Sequence, residues 1–248
     1  MGLKSRLNLP RYSGKYIFLG GKNVNLIYIG KTKDVYALED GNYLLKLKDD
    51  ATGKDGVFDP GENSVGLKID GLGIQSLKMT EYFFKILNAA GIPNHFVDCD
   101  IPKAEMIVKA AKVFGKGLEV ICRYRAVGSF FRRYGDYITE GATIPGLIEF
   151  TLKDDARQDP PLTKDSLSIL GIMTPEEYEI VKELCLKSCN IIKDALAEKG
   201  LDLYDIKLEF GRCNSEITLI DEISAGNMRV YKNGVWLQPM EVAAILFD

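Results

Sequence analysis

Three stretches of this sequence carry residues whose types and spacing could do chemistry. In LYDIKLEFGRCNSEITLIDE, residues 203–222, alternation with period two places Leu203, Asp205, Lys207 and Glu209 on one face of a strand, with Ile206, Leu208 and Phe210 on the other. A hairpin closing around Cys213 then brings Ile217, Leu219 and Asp221 to the face of Asp205 and Glu209. Three carboxylates and a lysine on one side of an aliphatic sheet are costly to bury unless something compensates them. A hard divalent cation with phosphate oxygens would do so. The pattern fits the solvated face of an edge hairpin equally well, with Lys207 paired to its neighbours.

The second stretch is Gly30-Lys31-Thr32-Lys33, a glycine and two lysines on a tight turn between strand patterns. Backbone N–H groups and ammonium charges that point outward together suit a phosphate cradle. The GxxxxGK[ST] spacing and the following helix of a Walker motif are missing, and Gly-Lys turns are common on surfaces. The third is RYRAVGS, residues 123–129, a strand running into a short helical piece. Gly128 and Ser129 would set backbone N–H groups and a hydroxyl where an anion can bind, and Arg123 could add a bidentate fork. An exposed basic strand end is the competing reading. Arg132 and Arg133 are expected in solvent.

These residues need elements to position them. Residues 25–48 alternate as strands, with a turn at Gly41-Asn42. The Gly/Asp-rich run at 49–66 reads as a long surface loop. Apolar residues at helical spacing (Leu77, Phe83, Phe84, Leu87) predict a helix over 74–90 that stops at Gly91. HFVD and EMIVKAAKV read as two more strands, and FGKG at 114–117 as a hinge. The clearest helix runs from Thr174 to Lys199, with a capping box of Thr174 and Glu177 and Pro175 in its first turn. The expected fold class is α+β in two lobes: an N-terminal tail at 1–23, a sheet lobe at 24–115 and a larger lobe at 116–248.

Composition narrows the function classes. With 248 residues, 46% hydrophobic and 27% charged, the chain is an ordinary globular one, and a net charge of −3 offers no basic surface to nucleic acid. No apolar run is long enough for a membrane span. The first residues, MGLKSRLNLPRYSGK, lack the apolar core of a secretory signal, and Arg6 stands where a myristoylation motif needs Ser or Thr. Five cysteines without a CxxC pair and a single histidine, His95, argue against a Cys/His zinc site and against a Ser-His-Asp triad. Cys185 and Cys189 read as small core residues, and a reducing, cytoplasmic compartment fits. Acid–base work therefore falls to carboxylates, lysines or the substrate itself.

The segments IGKTKDVY, EVICRYRAVGSFFRR, LKDDARQDPPL, LYDIKLEFG and LIDEIS stand in the order found in the SAICAR synthetases (phosphoribosylaminoimidazole-succinocarboxamide synthases), and the resemblance covers roughly residues 24–231. It implies an ATP-dependent ligase of purine biosynthesis that joins the carboxylate of carboxyaminoimidazole ribonucleotide to the amine of L-aspartate, with ADP and phosphate as the other products. An acyl phosphate is the implied intermediate, and it must be kept from water. The resemblance also implies a sheet lobe like that of protein kinases, with ATP in the cleft.

Carried over by motif position, Gly30, Lys31 and Lys33 cover the ATP phosphates, while Lys109 and the backbone around 109–116 hold the rest of the nucleotide. Glu209 and Asp221 are the implied Mg²⁺ ligands. Asp205 and Lys207 face the ribonucleotide as catalytic residues, and Arg123, Ser129 and Arg229 hold its phosphate. Asp155 falls in a loop near the substrates without a role. No nucleic-acid or membrane partner is implied, and a homodimer is open.

The family's Ser-Pro-Asp loop is Ser224-Ala225-Gly226 here, which removes an aspartate and predicts a freer loop. The ending VWLQPMEVAAILFD suggests that a terminal helix of longer members is absent. Two rivals remain: a kinase-like phosphotransferase acting on a phosphorylated small molecule, and a nucleotide-binding module without catalysis. The HRDxxxxN and DFG motifs of protein kinases are missing.

Overall fold

A computed structural model describes residues 17–19, 22–62 and 64–248, and the side chains of 24–62 and 64–248. The elements in chain order are β1 (Ile17–Leu19), β2 (Lys22–Ile29), β3 (Lys33–Leu38), β4 (Tyr43–Leu47), β5 (Asp50–Lys54), β6 (Val57–Phe58), β7 (Val65–Lys68) and α1 (Leu72–Ala89). They continue with β8 (Phe96–Asp100), β9 (Glu105–Val108), β10 (Lys112–Val113), β11 (Leu118–Arg125), α2 (Gly128–Tyr134), β12 (Thr143–Leu152) and β13 (Pro161–Leu162). The last are α3 (Lys164–Ile169), α4 (Pro175–Ala197), β14 (Asp202–Cys213), β15 (Glu216–Ile220), β16 (Met228–Lys232), β17 (Val235–Trp236) and α5 (Pro239–Phe247). This is an α+β fold with antiparallel strand pairing. The tail expected over 1–23 lies outside the described residues at 1–16, 20 and 21, and its remaining residues are strand.

The first sheet has the order β1-β2-β3-β4-β9-β8. Its strands alternate, so Val24, Tyr36, Leu38 and Leu44 form a small cluster while Leu45, Leu47 and Met106 join the main core. Helix α1 buries Leu77, Phe83, Phe84 and Leu87 completely. It ends as its sequence requires: Gly91 takes φ 73°. The Gly91 N–H donates to the Asn88 carbonyl and that of Ile92 to the Leu87 carbonyl, a Schellman closure.

The run at 49–66 is not a loop. It folds into a three-stranded sheet, β6-β5-β7, because Ala51 and Phe58 bury against Leu72 and Trp236. Two apolar residues among glycines and aspartates are a faint signal in the sequence, yet they pin the segment over the cleft. The last described helix, α5, buries Val242, Ala243 and Leu246.

The second sheet has the order β13-β12-β11-β14-β16-β17, with β10 and β15 both pairing on β14. The predicted hinge is a turn in which the Gly117 N–H donates to the Phe114 carbonyl at 2.9 Å. Arg212 lies over the Phe114 ring and is gripped by Glu177 through two 2.7 Å bonds. Helix α4 carries the expected capping box. Its stripe of Val181, Cys185, Cys189, Ile192 and Leu196 packs the core with Cys122 and Ile206. With one face thus covered, the polar face of this sheet is left to line a cleft. No described helix is long and apolar enough to cross a membrane.

Candidate active site

The cleft floor is read from strand pairing. Arg123 lies opposite Asp205, Ile121 opposite Lys207, and on the other flank Ile121 opposite Glu149 and Glu119 opposite Thr151. Arg229 on β16 also lies opposite Asp205. One face therefore collects Glu119, Arg123, Glu149, Asp205, Lys207, Glu209 and Arg229, the residue types that apolar strands normally exclude. Above it opens a cavity of about 490 Å³, roofed by residues 60–62, α2 and the 155–159 loop.

Two corrections to the sequence reading concern this face. Leu203 is fully buried in the apolar core with Ile206 and Leu208, because a register shift between Leu203 and Asp205 resets the alternation. The hairpin turns at Asn214-Ser215, so Glu209 pairs with Ile220, and Phe210, on the opposite face, pairs with Leu219. Ile217 and Leu219 therefore do not share the face of Glu209. Asp221 still reaches it, by leaving the strand at φ 72°, a left-handed conformation that Asp tolerates better than most residues. The His95 ring holds that turn: its Nε2 lies 3.1 Å from the Asp221 carbonyl and donates to it.

At one end of the cavity, Arg123 is almost fully buried. Its Nε bonds Glu149, its Nη1 lies 3.0 Å from Asp205 and its Nη2 donates to Ser129 at 2.8 Å. Arg229 donates to the same Asp205 oxygen at 2.8 Å and to Asp59 at 2.6 Å. The two guanidiniums share Asp205 and also meet Glu149 and Asp59, so their charge is matched within the protein, and an anion bound here would take over N–H donors from these carboxylates. In the middle, Lys207 lies 2.8 Å from Glu119, which Thr151 also contacts. Arg132 and Arg133 are exposed, as expected, and both stand at the edge of the cavity, where Arg133 pairs with Glu149 at 2.5 Å.

Farther along β14, beyond the residues that line the cavity, Glu209 pairs with Lys153 at 2.6 Å, and Lys33 spans Asp221 and Glu222 at 2.5 Å each. Burial, then the Asp221 charge, pushes Glu209 up to about 7. Burial would also raise Asp221, but Lys33 outweighs it and holds the carboxyl below its usual range. Lys33 is raised against its own burial by Asp221 and Glu222. Among the described residues no three His, Cys, Asp or Glu side chains close into a metal-ligating group.

The GKTK turn lies between β2 and β3 as expected, closed by the Gly30 N–H on the Lys33 carbonyl at 2.8 Å. Lys31 reaches Asp155 at 2.6 Å. Lys109 follows β9 and is exposed, its backbone bonded to His95. The Ser224-Ala225-Gly226 loop is stapled rather than free. The Ser224 hydroxyl accepts from the Gly226 N–H, and the Asn227 side chain bonds the Ser224 N–H and the Glu222 carbonyl.

Sequence reasoning missed Glu119, Glu149, Lys153 and Asp59. Extending the β11 alternation back from Arg123 would have found Glu119. Asp59 had no signal, since its position depends on the small sheet.

The profile of the SAICAR synthetase family matches residues 26–240. The phosphoribosylaminoimidazole-succinocarboxamide synthase of Clostridium tetani is 56% identical over 227 residues, covering 91% of this chain and all of that protein. Its namesake from Sulfurisphaera tokodaii is 37% identical over 206 residues, covering 83% of each. Among solved structures, a SAICAR synthetase in complex with ADP superposes with a TM-score of 0.78 at 29% identity, covering 91% of this chain and 96% of that one. The Ehrlichia chaffeensis synthase does so with a TM-score of 0.79 at 27% identity, covering 90% and 98%. By sequence and by fold, the chain belongs to the SAICAR synthetase family, the ATP-dependent ligases that join carboxyaminoimidazole ribonucleotide to L-aspartate in purine biosynthesis.

Proposed function

We propose that the ribonucleotide lies along β14, its 5′-phosphate at Arg123, Ser129 and Arg229 and its carboxylate toward Glu209. The observation that carries this reading is the order of charges on one strand. Asp205, with its two arginines, and Glu209, with its carboxylate neighbours, are four residues apart, about 13 Å at the rise of a strand. A nucleotide with an extended base substituent fills most of that length.

In this reading Gly30, Lys31 and Lys33 hold the ATP phosphates, and Lys109 with the adjoining backbone meets the rest of the nucleotide. Glu209 and Asp221 would hold Mg²⁺, which takes one or two protein carboxylates and completes its shell with phosphate oxygens. Two crowded, largely buried carboxylates, one of them pushed up by burial and then by the charge of the other, fit that donor set. Bound there, the ion would neutralise charge on the transferring phosphoryl group.

The chain's own residues do the rest. Arg123 and Arg229 fix the ribonucleotide by its phosphate. Asp205 orients both guanidiniums, and Lys207 faces the base and its carboxylate from the cleft floor. The roof over the cavity limits the access of water to an activated carboxylate. A cytoplasmic location and a homodimer belong to the same proposal. Five free cysteines, four of them buried, support the former, and sedimentation measures the latter.

The deciding assay is ADP release with the carboxylated ribonucleotide and L-aspartate, added singly and together. Release should require both. Equal turnover without ribonucleotide would sink the reading.

A further inference from the structure

Five cations line the cavity: Arg123, Arg132, Arg133, Lys207 and Arg229. Four are committed. Arg123 and Arg229 share Asp205, Arg133 is on Glu149, and Lys207 is on Glu119. Among the described residues, Arg132 has no carboxylate partner. An arginine at a cavity wall with its fork unspent is a carboxylate receptor in waiting, because guanidinium and carboxylate match in two parallel hydrogen bonds.

Its place on α2 indicates which ligand it serves. The first turn of α2 abuts the phosphate end: a Cβ on Gly128 would lie 2.6 Å from Arg229 Nη1, and Ser129 bonds Arg123. The last turn reaches the β12 side of the sheet, where Arg133 meets Glu149, the carboxylate that also accepts from Arg123. Arg132 lies one turn beyond Ser129, displaced along the helix by about 4.5 Å toward that side and away from Arg229. The ribonucleotide phosphate already has two arginines and a hydroxyl. The second substrate brings two carboxylates of its own, and no other cavity cation is left for them.

We propose that Arg132 binds a carboxylate of L-aspartate and so helps to select a dicarboxylic amine as the second substrate. This rests on the reading of the cavity given above. The test is steady-state kinetics of Arg132→Ala and Arg132→Lys, with L-aspartate and the ribonucleotide varied in turn and melting temperatures as the check on folding. Loss of a charge-assisted contact should raise the KM for L-aspartate about ten- to a hundredfold in the alanine variant. Lysine should recover part of the loss, and the KM for the ribonucleotide should not move. A rise confined to the ribonucleotide KM would assign Arg132 to the phosphate and overturn the proposal, as would two unchanged KM values. Wild-type enzyme that fails to couple the three substrates would instead remove the underlying reading, and the inference with it.

Discussion

Asp221 combines an unusual backbone with a costly charge. At φ 72° it sits in the left-handed region, and its carboxylate is buried against Lys33 with Glu209 close by. Asparagine tolerates the same backbone, so Asp221→Asn isolates the charge. Turnover should fall by roughly 10²–10³, the cost of removing one preorganised electrostatic group, with the unliganded fold retained by circular dichroism. An unchanged rate and metal requirement would show that Asp221 is not a ligand. Arg123 calls for a different experiment. It bonds Glu149 and Asp205, and each of these keeps a second guanidinium, Arg133 and Arg229. Truncating Arg123 should therefore cost less stability, read from urea unfolding, than the about 3–5 kcal/mol that an unpaired buried charge costs. His95 gives the pH dependence. Burial holds its pKa down at about 4, so the folded protein keeps it neutral. Because the folded value lies below the ordinary 6.5, the stability it contributes is present above pH 6.5 and lost as pH falls toward 4, up to about 3 kcal/mol. Glutamine can still donate to the Asp221 carbonyl without titrating. Urea midpoints of His95→Gln should therefore fall less between pH 7 and pH 4.5 than those of the wild type, and parallel curves would refute this.

At the scale of elements, α2 shows how a short helix sets a binding site. It starts at Gly128, whose φ is 56° and whose missing Cβ leaves room for the Arg229 guanidinium. Gly128→Ala should displace Arg229 from Asp205 and weaken ribonucleotide binding at least tenfold, about the worth of one charge-assisted contact, while ATP affinity stays as it was. Calorimetry with each ligand measures both, and equal losses would argue for a general distortion. The same elements show what was legible in the sequence. Helix α4 carried its cap, its stripe and its stop in local residues. The Asp205-Lys207-Glu209 face followed from alternation, because strand period is a local property. The Leu203 bulge and the turn at Asn214-Ser215 did not, since each is decided by what the neighbouring strand pairs with. Asp221 reached its predicted place by a left-handed turn, not by the expected register. The 49–66 segment was misread because its fold depends on Phe58 finding Trp236, which lies far along the chain.

Across the whole molecule, the two sheets meet through ion pairs that carry the ligand's charges in reverse. Lys31 and Lys33 come from the first sheet, while Asp155, Asp221 and Glu222 come from the C-terminal part of the chain. Lysines that the proposed function gives to ATP phosphates are paired with Asp221, which it gives to the metal, and with Glu222 and Asp155. Binding is then an exchange of partners. ATP alone frees the lysines from their carboxylates but brings its phosphates against the buried Asp221 and Glu222. Mg²⁺ alone meets the carboxylates but leaves Lys33 facing a cation. Only the two together satisfy every charge, so Mg²⁺ and ATP should bind with strong positive coupling, each raising the other's affinity by the same factor. Thermal denaturation reads this out directly. With both present at about a hundred times the apparent Kd, stabilisation should approach 2.7 kcal/mol, which for a chain of this size is about 5–10 °C. Either alone at the same concentration should give a small part of that shift. Lys33→Met removes one side of the exchange, and it should reduce the coupling more than it reduces the affinity for Mg²⁺ alone. If Mg²⁺ or ATP by itself produced the full shift, the ion pairs between the sheets would be ordinary surface contacts with no part in nucleotide binding.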